Sequence, residues 1–101
     1  MNPSNLEPGL ANDSRLLVAA FYAFTPLDDE RRETLLSSLP TLARNGSVLG
    51  SVLVAHEGVN GTISGPESAV DAVLDHLRAS LVLGNDHYAQ LEVKRSWADK
   101  P

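Results

Sequence analysis

The sequence contains no cysteine, which excludes disulfides, thiolate metal sites and a thiol nucleophile together. It also contains no apolar run long enough to span a bilayer, the longest being Leu16 to Phe24. The first residues, Asn2 to Ser14, are polar and lack the basic and apolar regions of a secretory signal, so a cytoplasmic location is expected and no membrane partner. Asn12, Asn45 and Asn60 begin N-x-S/T triplets, and without a secretory signal their meaning is turn chemistry rather than glycosylation. Positive charge is scarce as well: 8 Lys and Arg stand against 13 Asp and Glu, a net charge of -5. Sequence-independent binding to nucleic acid draws on lysines and arginines that neutralise phosphates. Any RNA contact therefore needs positive charge from elsewhere, because Arg31, Arg32, Lys94 and Arg95 form no stripe.

What is present suits one soluble domain. A chain of 101 residues, 43% of them hydrophobic, can bury a single core between two layers of secondary structure. Residues 1–13 carry prolines and asparagines without periodicity and read as a flexible leader. Leu16 to Phe24 then suits a central strand, ended by Thr25-Pro26. Thr25-Pro26-Leu27-Asp28 has capping-box form, so a helix is expected to start there. Leu35, Leu36, Leu39, Leu42 and Ala43 mark its buried stripe. Pro40 lacks a helix-forming amide and is expected to divide the helix into two short pieces. Asn45-Gly46 is the stop signal.

Ser51 to His56 reads as a second, buried strand, Glu57 to Asn60 as a turn, and Gly61 to Ser64 as a third strand completing a hairpin. Gly65-Pro66-Glu67 opens a second helix, where Ser64 and Glu67 fit a capping box. Its stripe is Val70, Val73, Leu74, Leu77 and Leu81. Gly84-Asn85-Asp86 closes this segment, and Gln90 to Arg95 alternates like a half-exposed edge strand. The order strand, helix, strand, strand, helix, strand predicts a ferredoxin-like α+β sandwich: a βαββαβ domain with one four-stranded antiparallel sheet and both helices on one face. Strands one and three would be central and strands two and four edges. If Leu17, Ala19 and Phe21 face the helices, then Val18, Ala20, Tyr22 and Phe24 face away. A sheet face this apolar calls for cover by a partner domain, a second copy or a further segment.

The stretch most able to carry chemistry is Ala55 to Gly65, where His56, Glu57 and Asn60 cluster around Gly58 and Gly61. Such a turn can present polar groups and bare amides to a ligand, although a hairpin needs the same residue types. His56-Glu57 lacks the second histidine of a zinc-binding H-E-x-x-H helix, since position 60 is Asn60, so no metal is expected. The glycines form neither G-x-G-x-x-G after a parallel strand nor a G-x-x-x-x-G-K loop, which leaves no nucleotide site or resident cofactor. His76 and His87 read as surface or hydrogen-bonded histidines. Phe21, Tyr22 and Phe24 suit core or interdomain packing better than base stacking, given the acidic charge.

Phe21-Tyr22-Ala23-Phe24, taken with Val54-Ala55-His56-Glu57-Gly58-Val59-Asn60-Gly61-Thr62-Ile63-Ser64-Gly65, resembles the N-terminal domain of bacterial rhodanese-containing tRNA uridine hydroxylases. Their pattern is F-Y-x-F followed by L-A-x-E-G-I-N-G-T-I-S-G. The resemblance covers roughly residues 15–97, with residues 98–101 the start of a linker to a rhodanese domain that is absent here. It implies a full-length enzyme that uses molecular oxygen as co-substrate to make 5-hydroxyuridine at the tRNA wobble position. The essential cysteine lies in the rhodanese domain, so no catalytic residue is expected in this fragment and no activity from it alone. The resemblance further implies that tRNA and the rhodanese domain are the partners, with His56, Glu57, Gly58, Asn60 and Gly61 facing the site and Phe21, Tyr22 and Phe24 as the platform beneath. The open sheet face leaves room for a homodimer of the fragment. Two alternatives share the fold. An acylphosphatase would need an arginine in the loop after strand one to hold phosphate, and that loop is acidic here, Thr25-Pro26-Leu27-Asp28-Asp29. A small-molecule-binding regulatory module would leave weak signatures at loops.

Overall fold

The computed structural model describes residues 15–83, 87–88 and 91–99. Strand β1, Arg15–Phe24, leads into helix α1, Asp29–Gly46. Strands β2, Leu49–Ala55, and β3, Gly58–Gly65, form a hairpin before helix α2, Glu67–Ser80. A short pair, β4 at Val82–Leu83 and β5 at His87–Tyr88, precedes the last strand, β6, Glu92–Asp99. The main sheet is antiparallel with order β2-β3-β1-β6. This is the expected ferredoxin-like βαββαβ sandwich, with β1 and β3 central and β2 and β6 at the edges. The small β4–β5 sheet was not anticipated. The expectations for the leader, for Gly84-Asn85-Asp86 and for Gln90 fall outside the described residues.

Alternation along β1 divides the molecule as the sequence pattern requires. Leu17, Ala19, Phe21 and Ala23 are buried beneath the helices, while Tyr22 and Phe24 point to the other face. The helices add Leu35 and Leu39 from α1 and Val70, Val73, Leu74 and Leu77 from α2. Fully burying side chains of this size stabilises by about 1.5–3 kcal/mol each.

Four local expectations are corrected. Helix α1 begins after Asp28, whose Oδ1 accepts the Arg31 amide at 2.8 Å, rather than after Thr25. The cause lies across the sheet: Thr25 N–H donates to the Glu57 carbonyl and Leu27 N–H to the His56 carbonyl, each at 2.9 Å, so the chain stays extended past β1. Pro40 does not divide α1, which runs unbroken to Gly46. One missing amide on an exposed face is outweighed by the anchoring of Leu35 and Leu39 on the buried side. The reversal after β2 is His56-Glu57 rather than the four residues to Asn60, because Gly58 already pairs with Ala55 and Asn60 with Leu53. Finally, Ser64 caps nothing at α2: Pro66 occupies the cap position without a side-chain bond, and its carbonyl accepts the Ala69 and Val70 amides.

Strand β6 is longer than the alternating segment suggested. It continues to Asp99, which pairs with Arg15, so positions 98 and 99 belong to the sheet.

Candidate functional site at the β2–β3 hairpin

The hairpin turn is fixed to the rest of the fold through its backbone. The carbonyls of His56 and Glu57 are occupied by the Leu27 and Thr25 amides, which leaves both side chains exposed. Gly58 follows with φ +142, and a Cβ there would fall 2.0 Å from the Ala23 carbonyl oxygen. Only glycine allows β3 to approach the end of β1 this closely. The sequence motif thus encodes a backbone contact as much as a set of polar groups.

The eight expected site residues fall into three places. Tyr22, Phe24, Glu57, Gly58 and Asn60 gather on the open sheet face. The Tyr22 and Phe24 rings, two residues apart on β1, lie 5.5 Å between centroids at 53°. Phe24 is 82% exposed and Tyr22 48%. Asn60 pairs with Tyr22 on one side and Leu53 on the other. Between Phe24 and Leu53 lies a depression of about 240 Å³, lined also by Ala55, Glu57, Gly58 and Asn60. A second shallow depression beside Tyr22 reaches Glu92 and Lys94 of β6.

His56 is separate. Its Nε2 lies 3.2 Å from Asp29 Oδ1 at the start of α1, and the same oxygen accepts from Arg32 at 2.6 Å. The Arg32 guanidinium, and after it the His56 ring, hold the Asp29 carboxyl below its usual range. In the sequence Asp29 stands out only as part of the acidic loop after strand one. No local spacing could have joined residues 29 and 56, which meet because β1, α1 and the hairpin converge.

Phe21 and Gly61 form the third group, and here the expected platform is corrected. Phe21 is buried on the helix side, paired across the ladder with Gly61. A Cβ at Gly61 would lie 3.0 Å from Phe21 Cζ and 2.4 Å from the Ser51 carbonyl oxygen. The Phe21 ring therefore faces away from the Tyr22 and Phe24 rings, and Gly61 makes room for it. His76 is a structural residue as expected: its Nε2 meets Ser38 Oγ at 2.8 Å and ties α2 to α1. The side chain of His87 lies outside the described residues.

The open face is flanked by leucine as well as aromatics. Leu49 and Leu53 of β2 are 74% and 60% exposed, a feature the reading of β2 as simply buried had missed. The side chains that carry ion pairs lie on the helix side, where Arg95 binds Asp71 at 2.6 Å and Arg78 binds Asp75 at 3.0 Å. The open face thus carries exposed Tyr22, Phe24, Leu49 and Leu53, with Glu57, Glu92 and Lys94 at its margins, a mixture that suits contact with protein better than contact with phosphate. No helix among the described residues is long and apolar enough to cross a membrane.

The family model described as the UPF0176 acylphosphatase-like domain matches residues 16–101. A tRNA uridine(34) hydroxylase of Synechococcus sp. (strain CC9605) is 93% identical over the whole chain, which spans 31% of that protein. The protein of the same name from Parasynechococcus marenigrum (strain WH8102) is 70% identical over 86% of the chain, 27% of its own length. One from Rhizobium leguminosarum bv. trifolii (strain WSM2304) is 43% identical over 90% of the chain, again 27% of its length. The chain therefore spans about three-tenths of the length of these relatives.

Proposed function

The chain belongs to the UPF0176 acylphosphatase-like domain family, and from that premise we propose that it serves as the accessory N-terminal domain of an oxygen-dependent tRNA wobble-uridine 5-hydroxylase. In this reading the longer protein acts in the cytoplasm, and a rhodanese domain following in sequence supplies the reactive cysteine. Molecular oxygen is the co-substrate. This domain contributes no proton-transfer or redox group; it packs on the rhodanese domain and helps position tRNA at their junction.

The observation that carries the reading is the open sheet face. Tyr22, Phe24 and Leu53 stand exposed on it, the last two around a depression with Ala55 and Gly58, an apolar surface that a domain with its own complete core has no reason to keep unless something covers it. Relatives about three times as long carry further chain that would supply such cover. Glu57 and Asn60 lie at the rim of the covered zone, where a substrate held between two domains would meet them. With a net charge of -5, the domain leaves phosphate binding to its partner and offers tRNA shape and hydrogen bonds.

An acylphosphatase activity is disfavoured by two specific features. The loop after β1 has no arginine. Two of its amides, those of Thr25 and Leu27, are already committed to the Glu57 and His56 carbonyls, so they cannot cradle a phosphate.

The test uses a strain lacking its own hydroxylase, complemented with the full-length protein, with the remainder lacking this domain, or with the 101-residue chain. Mass spectrometry of digested tRNA should find 5-hydroxyuridine with the full-length protein only. Full modification by the remainder without this domain would remove the accessory role.

A further inference from the structure

The two edges of the sheet are guarded differently. Strand β6 carries Glu92, Lys94 and Arg95, the kind of charge that keeps an edge strand from pairing with another chain. Strand β2 carries none. The uncharged stretch is wider than the strand: within residues 34–55, which take in most of α1 and all of β2, Arg44 is the single ionisable side chain. Among the described residues, three of the exposed large hydrophobic side chains border this edge: Leu49 and Leu53 on β2 and Leu36 on α1. Beneath the edge an apolar groove of about 270 Å³ runs between helix and strand, lined by Leu36, Leu39, Pro40, Ala43, Val52 and Val54.

We propose that the β2 edge and the adjoining α1 ledge form a self-association surface, on which a second copy of this chain docks with its β2 antiparallel to the first. In a register centred on Val52, Leu49 lies opposite the partner's Ala55 and Ser51 opposite the partner's Leu53, and no like charges meet. The net charge of -5 makes two copies repel over most of their surface, so contact is confined to the charge-free zone. A lone strand added from elsewhere would satisfy the edge amides but leave Leu36 in water. A second copy brings its own α1 and extends both the sheet and the helix layer. Leu49 and Leu53 also border the open face, but the backbone edge of β2 and the Leu36 ledge on α1 are separate from Tyr22, Phe24 and Asn60, so these two elements of the contact do not depend on what packs on the open face.

Sedimentation equilibrium of the 101-residue chain, from low micromolar to near-millimolar concentration, tests this. The average mass is expected to rise from 10.8 kDa towards twice that value. Leu36→Glu and Leu49→Glu should hold the protein monomeric with an unchanged circular dichroism spectrum, while Ser96→Glu on the opposite edge should leave association intact. Should Leu49→Glu fail to fold, Leu36→Glu and amide exchange on the wild-type chain decide: alternate amides of residues 49–55 should gain protection as concentration rises. A wild-type chain that stays at 10.8 kDa throughout overturns the proposal. So does protection of β2 that is independent of concentration, which would assign the edge to another segment. Association lost in Phe24→Glu but kept in Leu36→Glu would place the contact on the open face and overturn it equally.

Discussion

The His56 ring and the Asp29 carboxylate, 27 positions apart in sequence, meet at 3.2 Å across the junction of the hairpin and the start of α1. Arg32 shares that carboxylate from the next turn of the helix. The contact is exposed, so it orients His56 more than it stabilises the fold.

Its pH dependence has a defined sign. Asp29 titrates below its usual value of 3.8, chiefly because of Arg32 and then His56. A depressed carboxylate contributes stability above its unfolded pKa and loses it as pH falls through the folded one. Wild type is therefore expected to melt above Asp29→Asn near neutral pH, with the difference closing below pH 3.8. Thermal melts of both proteins across that range, with a carbon-detected titration of Asp29, would check it. A gap that widens towards acid would contradict the assignment.

Gly58 is the position where the motif is least replaceable. At φ +142, and with a Cβ only 2.0 Å from the Ala23 carbonyl oxygen, alanine must shift the hairpin away from β1. Gly58→Ala is expected to cost about 2–4 kcal/mol, combining backbone strain with overpacking. Urea denaturation measures this. The Thr25 and Leu27 amides should lose exchange protection in the same variant, since their acceptors sit in the displaced turn.

Much of this was legible in the sequence. The element order, the central placing of β1 and β3, and the apolar open face follow from hydrophobic periodicity, which records burial directly. Element boundaries were less legible because long-range backbone bonds set them: the Thr25 and Leu27 amides chose partners across the sheet over a helical turn. The site was half legible. Local spacing identifies Glu57, Gly58 and Asn60 as neighbours, and strand alternation already divides Phe21 from Tyr22 and Phe24, but the Asp29 contact requires the tertiary fold.

Phe21 and Phe24 therefore provide a contrast within one strand. Phe21 is 4% exposed, so Phe21→Ala should destabilise the chain by about 3–5 kcal/mol. Phe24 is 82% exposed, and Phe24→Ala should change stability by less than about 0.5 kcal/mol. In the full-length protein the order reverses in meaning: Phe24→Ala, though folded, should lower 5-hydroxyuridine formation several-fold if the open face is the interdomain surface. Modification at the wild-type level in that variant would show that Phe24 is not part of the junction.

Pro40 interrupts the amide ladder of α1 without interrupting the helix. Proline in a helix interior costs about 3 kcal/mol relative to alanine when nothing compensates. Here the buried side of α1 supplies the compensation through Leu35 and Leu39, while Pro40 itself is exposed. Pro40→Ala restores one hydrogen bond without touching that buried side, so it is expected to raise stability by about 1–3 kcal/mol in urea denaturation. Amide exchange locates the gain. Protection should increase within the turns flanking residue 40 and remain unchanged in α2, since a proline tolerated by anchoring acts on its own helix. Unchanged or reduced stability would mean that the ring makes packing contacts in the groove beside β2 worth as much as the missing bond.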